Sequence, residues 1–278
     1  MIDIAISPCP NDTFLFNAWI NGKINSPLIP KVTFADIQEL NVMALNDSKS
    51  IIKTSCYCFG KNTDRYRLLP VGAAIGPFGP KLICKDFFSL DELKTKTVAI
   101  PGKDTTAYLL FKTLCPEPKQ IVECSFEKIS SLVLSGKVDA GLIIHETRFT
   151  FSQMGGLELC DLGSLFYEKY SLPVPLGVVC ARRDISDELV EQVCYLMKQS
   201  LLFAQNHPCD LGFTLSLSQE KNIDIVTKHI ACYVNDETYA ISETGITSIK
   251  TLFTVASEKG LLPKECVNFD NDMYVCNA

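Results

Sequence analysis

The sequence predicts an α/β protein of two lobes with a cleft between them, and three observations carry that prediction. Short apolar runs of strand length alternate with amphipathic helical stretches almost throughout, the pattern of parallel sheets joined by crossover helices. A compact strand–helix block, residues 91–174, reads as an insertion into a larger lobe built from residues 1–90 and 175–278. Beyond the long apolar run Val174–Ala181 the chain is helical, with no further strand. Two crossing strands would then act as a hinge, and a cleft between lobes is a favoured place for a ligand.

Taken in order, Asp3–Ser7 is the first strand, broken by Pro8 and Pro10, and Asn11-Asp12-Thr13 then caps a helix that runs to about Asn21. Further strands are expected near Val32–Ile37, Ile51–Thr54, Leu68–Gly72 and Lys81–Lys85. Thr97–Ile100 opens the inserted block and leads through Pro101-Gly102 to a helix over Thr105–Leu114. Ile121–Phe126 is strand, and Glu127–Leu134 is a short helix stopped by Gly136, which tolerates a left-handed cap. Ala140–Ile144 is a buried strand that ends at His145. Leu189, Val193, Leu196, Met197, Leu201 and Ala204 share one helix face. Ser242–Lys259 is a last helix, closed by Gly260 and Pro263.

Composition narrows the function. A hydrophobic content of 47% with 21% charged residues is that of an ordinary globular chain. No apolar run is long enough for a membrane span. The N-terminal segment lacks a basic region followed by a long apolar core, so no secretory signal is expected and a cytoplasmic location is. A net charge of −6 argues against sequence-independent binding to nucleic acid, which needs a basic stripe. Thirteen cysteines, dispersed from Cys9 to Cys276 without a C-x-x-C pair, lack the spacing of a zinc site. They read as small buried hydrophobes in a reducing compartment.

Three strand–turn–helix loops would face the cleft. Ser7-Pro8-Cys9-Pro10-Asn11-Asp12-Thr13-Phe14 is the first, with Asn11 as a candidate ligand contact or simply part of a cap. Lys53-Thr54-Ser55 is the second, where hydroxyls and a helix-start amide suit a carboxylate unless Lys53 is an ordinary surface residue. Gly102-Lys103-Asp104-Thr105-Thr106 is the third; a cap uses one threonine and leaves the other to be explained. It has no Walker pattern, which argues against a nucleotide triphosphate. Among only three histidines, His145 stands at the carboxyl end of a strand, where open α/β folds place their ligands. It is either a base working near neutral pH or a structural histidine satisfied by backbone groups. Arg148 either binds a substrate carboxylate or pairs with Glu146. A Cys9 nucleophile with His145 as its base has no support in the spacing.

Together SPCPNDTF, KTS followed by Tyr57, PGKDTTAY, AGLIIHETRFTF, LPVPLGVVCARRD and YVN resemble the 1,4-dihydroxy-6-naphthoate synthases of the futalosine route to menaquinone. The resemblance runs the length of the chain. It implies a two-lobed fold similar to type II periplasmic binding proteins. The implied activity converts cyclic dehypoxanthine futalosine, a small carboxylate, to 1,4-dihydroxy-6-naphthoate without a metal or organic cofactor. It places the catalytic base on His145 and substrate contacts on Lys53, Thr54, Ser55, Thr105 and Thr106. Thr54, Cys56 and Cys58 depart from the family's pattern. The alternatives on the same fold are a binding protein for a small carboxylate and a dehydratase acting on chorismate. The first suits an export signal and few cysteines; the second is not expected to carry SPCPNDTF or the strand-end histidine.

Overall fold

The computed structural model describes residues 1–46 and 48–273. The chain divides into two compact units, Met1–Ile75 with Pro175–Ala278 and Gly76–Val174. In chain order come β1 (Ile2–Ile6), α1 (Pro10–Ile20), β2 (Pro30–Phe34), α2 (Ile37–Leu45), β3 (Ile51–Ser55), α3 (Cys56–Gly60), β4 (Tyr66–Leu68) and β5 (Ala74–Gly76). The second unit then holds β6 (Lys81–Cys84), β7 (Thr97–Ile100), α4 (Thr106–Leu114), β8 (Gln120–Glu123), α5 (Phe126–Leu134), β9 (Ala140–Ile143), α6 (Thr147–Thr150), β10 (Leu157–Asp161) and α7 (Leu162–Tyr170). The chain returns through β11 (Val174–Arg182) to α8 (Asp187–Asn206), α9 (Gly212–Leu217), α10 (Ile223–Tyr233), α11 (Asp236–Tyr239) and α12 (Glu243–Glu258). The first division thus falls at Ile75 and Gly76, ahead of the expected position near residue 90. The cause is β6, which pairs with β9 and β10 of the second unit.

The sheets are mixed where parallel ones were expected. In the first unit the order is β2-β1-β3-β11-β4, with β5 also on β11. The strands β1, β2 and β3 run parallel, as crossover helices require, but the returning β11 lies antiparallel to both β3 and β4. The second sheet is ordered β10-β6-β9-β7-β8. Here β7, β8 and β9 are parallel, whereas β6 runs antiparallel to both of its neighbours, β9 and the edge strand β10.

Each sheet is buried against helices. In the first unit Ile4 and Ile6 of β1 pack with Leu15, Phe16 and Trp19 of α1 and with Val193, Met197 and Leu201 of α8. The predicted stripe on α8 is therefore its core face. In the second, Ile83, Ala99 and Ile143 pack against Ile129 and Val133 of α5. Several elements were absent from the sequence reading. The capping box of Asp36 and Glu39 starts α2 where a strand was expected to continue to Ile37. The segment Cys56-Tyr57-Cys58 is helical because the Ser55 side chain caps it, accepting from the Cys58 amide at 3.2 Å. The fourth strand is Tyr66–Leu68, and Leu68–Gly72 mostly turns away from it. The region after the last long strand holds no strand among the described residues, and Cys276 lies outside them. No described helix is long and apolar enough to cross a membrane.

Candidate active site

In the first unit the loop after β1 is organised around a buried carboxylate. Pro10 occupies the first turn of α1, where its missing N–H costs nothing, and Cys9 precedes it without a side-chain cap. Asn11 and Asp12 therefore lie inside the helix instead of capping it. Asp12 folds back, and its Oδ2 accepts from the Ser7 hydroxyl at 2.6 Å and the Ser7 amide at 3.4 Å. Its Oδ1 meets Lys53 Nζ at 3.0 Å, both side chains being at most 4% exposed. Lys53 also donates to the Gly72 carbonyl at 2.8 Å. A Cβ at Gly177, on the neighbouring strand, would come within 3.2 Å of Lys53 Cε, so glycine leaves room for the lysine stem. Lys53 is thus a buried counter-ion to Asp12, which also excludes the reading of it as an ordinary surface residue.

Adjacent strand residues project to opposite faces, and Thr54 accordingly leaves this cluster: its hydroxyl lies 3.7 Å from Cys180 Sγ on β11. Ser55 caps α3 with its side chain, while its amide donates to Asn41 Oδ1 at 2.9 Å. Asn11 is partly exposed, with Nδ2 donating to Asp12 Oδ1 at 2.9 Å and Oδ1 3.1 Å from His229 Nε2. The sequence reading missed Asp12 and His229 as members of this site. The polar SPCPND turn carried a signal for Asp12, but nothing local pointed to His229, 218 residues from Asn11.

In the second unit Thr105 is the N-cap of α4. Its hydroxyl donates to the Gly102 carbonyl at 2.7 Å and accepts from the Tyr108 amide at 3.2 Å. Thr106 is the first helical residue, at the end of the helix where the dipole and the first-turn amides favour an anion. His145 follows β9 with a φ of +61°, one of two non-glycine residues with positive φ among those described. The other, Ser171, closes α7, where a left-handed residue is ordinary. His145 has no such helix end to explain it. The strained backbone, costing about 1–2 kcal/mol, turns its imidazole onto the edge of Phe126, with ring centroids 4.8 Å apart. Strain of this kind gathers where a side chain must be aimed.

Arg148 is committed elsewhere. Its Nη2 pairs with Asp161 Oδ2 at 2.8 Å, and Nη1 donates to the Gly79 carbonyl at 3.0 Å. Both members of the pair are at most 10% exposed. Asp161 Oδ1 meanwhile caps α7 through the Gly163 amide at 2.8 Å and holds the Gly79 amide at 3.0 Å. The guanidinium therefore locks the Gly79 turn to the start of α7.

The twelve described cysteines are thiols, not disulfides. Burial pushes the Cys56 and Cys180 thiols up, and that of Cys266 up to about 12, which keeps them protonated and poorly nucleophilic.

Comparison with known proteins gives the family. A family model described as menaquinone biosynthesis matches residues 2–258. A 1,4-dihydroxy-6-naphthoate synthase from Thermus thermophilus is 35% identical over 260 residues, spanning 93% of this chain and 94% of that protein. A crystal structure of a protein from Archaeoglobus fulgidus superposes with a TM-score of 0.90 at 33% identity, over 94% of this chain and 98% of that one. A Candida albicans protein with the generic periplasmic-binding-protein fold superposes with a TM-score of 0.72 over 98% of this chain and 94% of its own. At 11% identity that likeness bears on the fold alone, and the fold agrees with the one expected from the sequence. With a family match over nearly its whole length and a relative of this similarity, the chain belongs to the menaquinone-biosynthesis family.

Proposed function

We propose that this chain is a carbon–carbon lyase that converts cyclic dehypoxanthine futalosine to 1,4-dihydroxy-6-naphthoate, with His145 as general base. The observation that carries the role of His145 is its left-handed backbone at the end of β9, for which no helix cap or turn glycine accounts. Neutral imidazole takes a proton from a substrate hydroxyl, and the electron pair left on oxygen drives cleavage that expels the sugar-derived fragment. Aromatisation of the new ring makes the step favourable. The flank of Phe126 keeps one side of the imidazole away from water.

The start of α4 suits the substrate carboxylate, with Thr106 as the contact and Thr105 holding the turn. Asn11 has one amide hydrogen and one carbonyl lone pair beyond its two bonds within the protein, and these are offered to substrate. Ser55 remains a proposed contact beside its capping role. Lys53, Thr54 and Arg148 support the loops from beneath instead of touching substrate, because their polar groups are engaged.

The test is incubation of purified protein with the cyclic futalosine derivative, following naphthoate by absorbance and mass. His145→Ala is expected to lose about a hundred- to ten-thousandfold in kcat. Turnover near that of the unaltered enzyme would remove His145 from the mechanism. Tight binding without turnover would favour a ligand-binding protein, and neither binding nor turnover would reject the substrate.

A further inference from the structure

Behind the loop that follows β1 lies a continuous chain of hydrogen bonds, and its outer end is a histidine on α10. His229 is 2% exposed, with its ring 4.7 Å from that of Tyr233. Its Nε2 lies 3.1 Å from Asn11 Oδ1; Asn11 Nδ2 donates to Asp12 Oδ1, which also takes Lys53 Nζ. Chemistry fixes the direction of each bond. An ionised carboxylate only accepts, so Asn11 must present its NH₂ to Asp12 and its carbonyl oxygen to His229. A carbonyl oxygen only accepts, so Nε2 of His229 must carry the proton. Reversing the amide would set oxygen against oxygen at Asp12 and break both links.

We propose that His229 is a positioning residue for this reaction: by donating from Nε2 to Asn11 it fixes the amide that faces substrate. The inference rests on the proposed function, which makes Asn11 a substrate contact. His229 touches no reacting atom. It acts through Asn11, and loss of its donor lets the amide rotate while the Asp12–Lys53 pair remains.

Four variants test this: His229→Phe, which keeps a buried ring without the donor; His229→Gln, whose amide nitrogen can take the place of Nε2; Asn11→Ala; and the His229→Phe/Asn11→Ala double. The expected result is a loss of roughly tenfold or more in kcat for His229→Phe and for Asn11→Ala. His229→Gln should recover most of it, and the double should be no worse than the poorer single variant, because both remove one linkage. Losses that multiply, no recovery with glutamine, or a folded His229→Phe enzyme with unaltered kcat would each overturn the proposal. Should His229→Phe fail to fold, ¹⁵N NMR of the unaltered protein decides: a protonated Nε2 supports the proposal and a bare Nε2 overturns it. If the unaltered protein does not turn over the futalosine derivative, the functional reading fails and takes this role with it. Turnover that is indifferent to the His229 donor rejects only the positioning role.

Discussion

Lys53 shows how far a residue's role depends on what surrounds it. The family resemblance implied a substrate contact at Lys53, and its carboxylate partner within the protein is Asp12, 3.0 Å away in the same unit. Two charges so deeply buried are costly to separate from each other, because the one left behind has lost its water. Lys53→Met and Asp12→Asn are each expected to lower stability by about 3–5 kcal/mol, read as a lower midpoint in urea. A Lys53→Met/Asp12→Leu double should recover much of that, since no charge is then stranded. Single variants with unaltered midpoints would show that water reaches the pair. Local sequence made the polar character of SPCPND and KTS legible; their pairing was not, because it depends on register between segments 41 residues apart.

Among the elements, α4 and α7 show two uses of the same capping chemistry. The turn before α4 was readable because Gly102 and Thr105 stand at the spacing of a cap, and Thr105 fills both of its hydrogen-bonding roles. Thr105→Ala should cost about 0.5–2 kcal/mol and Thr105→Ser much less, a comparison made by thermal unfolding. For α7 the cap Asp161 also takes in Arg148 and the Gly79 amide, so the backbones approach until a Cβ at Gly163 would lie 2.3 Å from the Gly79 nitrogen. Gly163→Ala is expected to lose about 1–3 kcal/mol or more through forced backbone movement. A variant of full stability would mean that the turn yields easily. Neither β10 nor α7 was read from sequence, since the segment Gly156–Tyr170 mixes apolar and polar residues at no clear period. By contrast Asp36 and Glu39 were legible in principle, as a capping box that overlaps the end of the expected strand.

At the scale of the whole molecule the buried thiols tie stability to pH. Their ordinary value is 9.0, and burial raises Cys56, Cys180 and Cys266 above it in the folded chain. For a raised group the contribution to stability is complete below the unfolded value and is lost as pH rises through the folded one. The urea midpoint should therefore fall as pH rises above about 9, and Cys266→Ala should flatten the fall. A midpoint independent of alkaline pH would show that these sulfurs ionise as readily in the fold as in the unfolded chain. The alternation of apolar runs and helices determined an α/β chain with an inserted block and a helical end. His145 was legible as a strand-end residue, because periodicity and chain order are local properties that survive in one dimension. Tertiary structure alone decided that the sheets are mixed and that β6 belongs to the inserted unit. It likewise decided that Lys53 and Arg148 serve carboxylates of the protein and that His229 reaches Asn11. Each of these depends on pairings between segments far apart in sequence, and a pairing acquires a partner and a direction only when the backbone has closed around it.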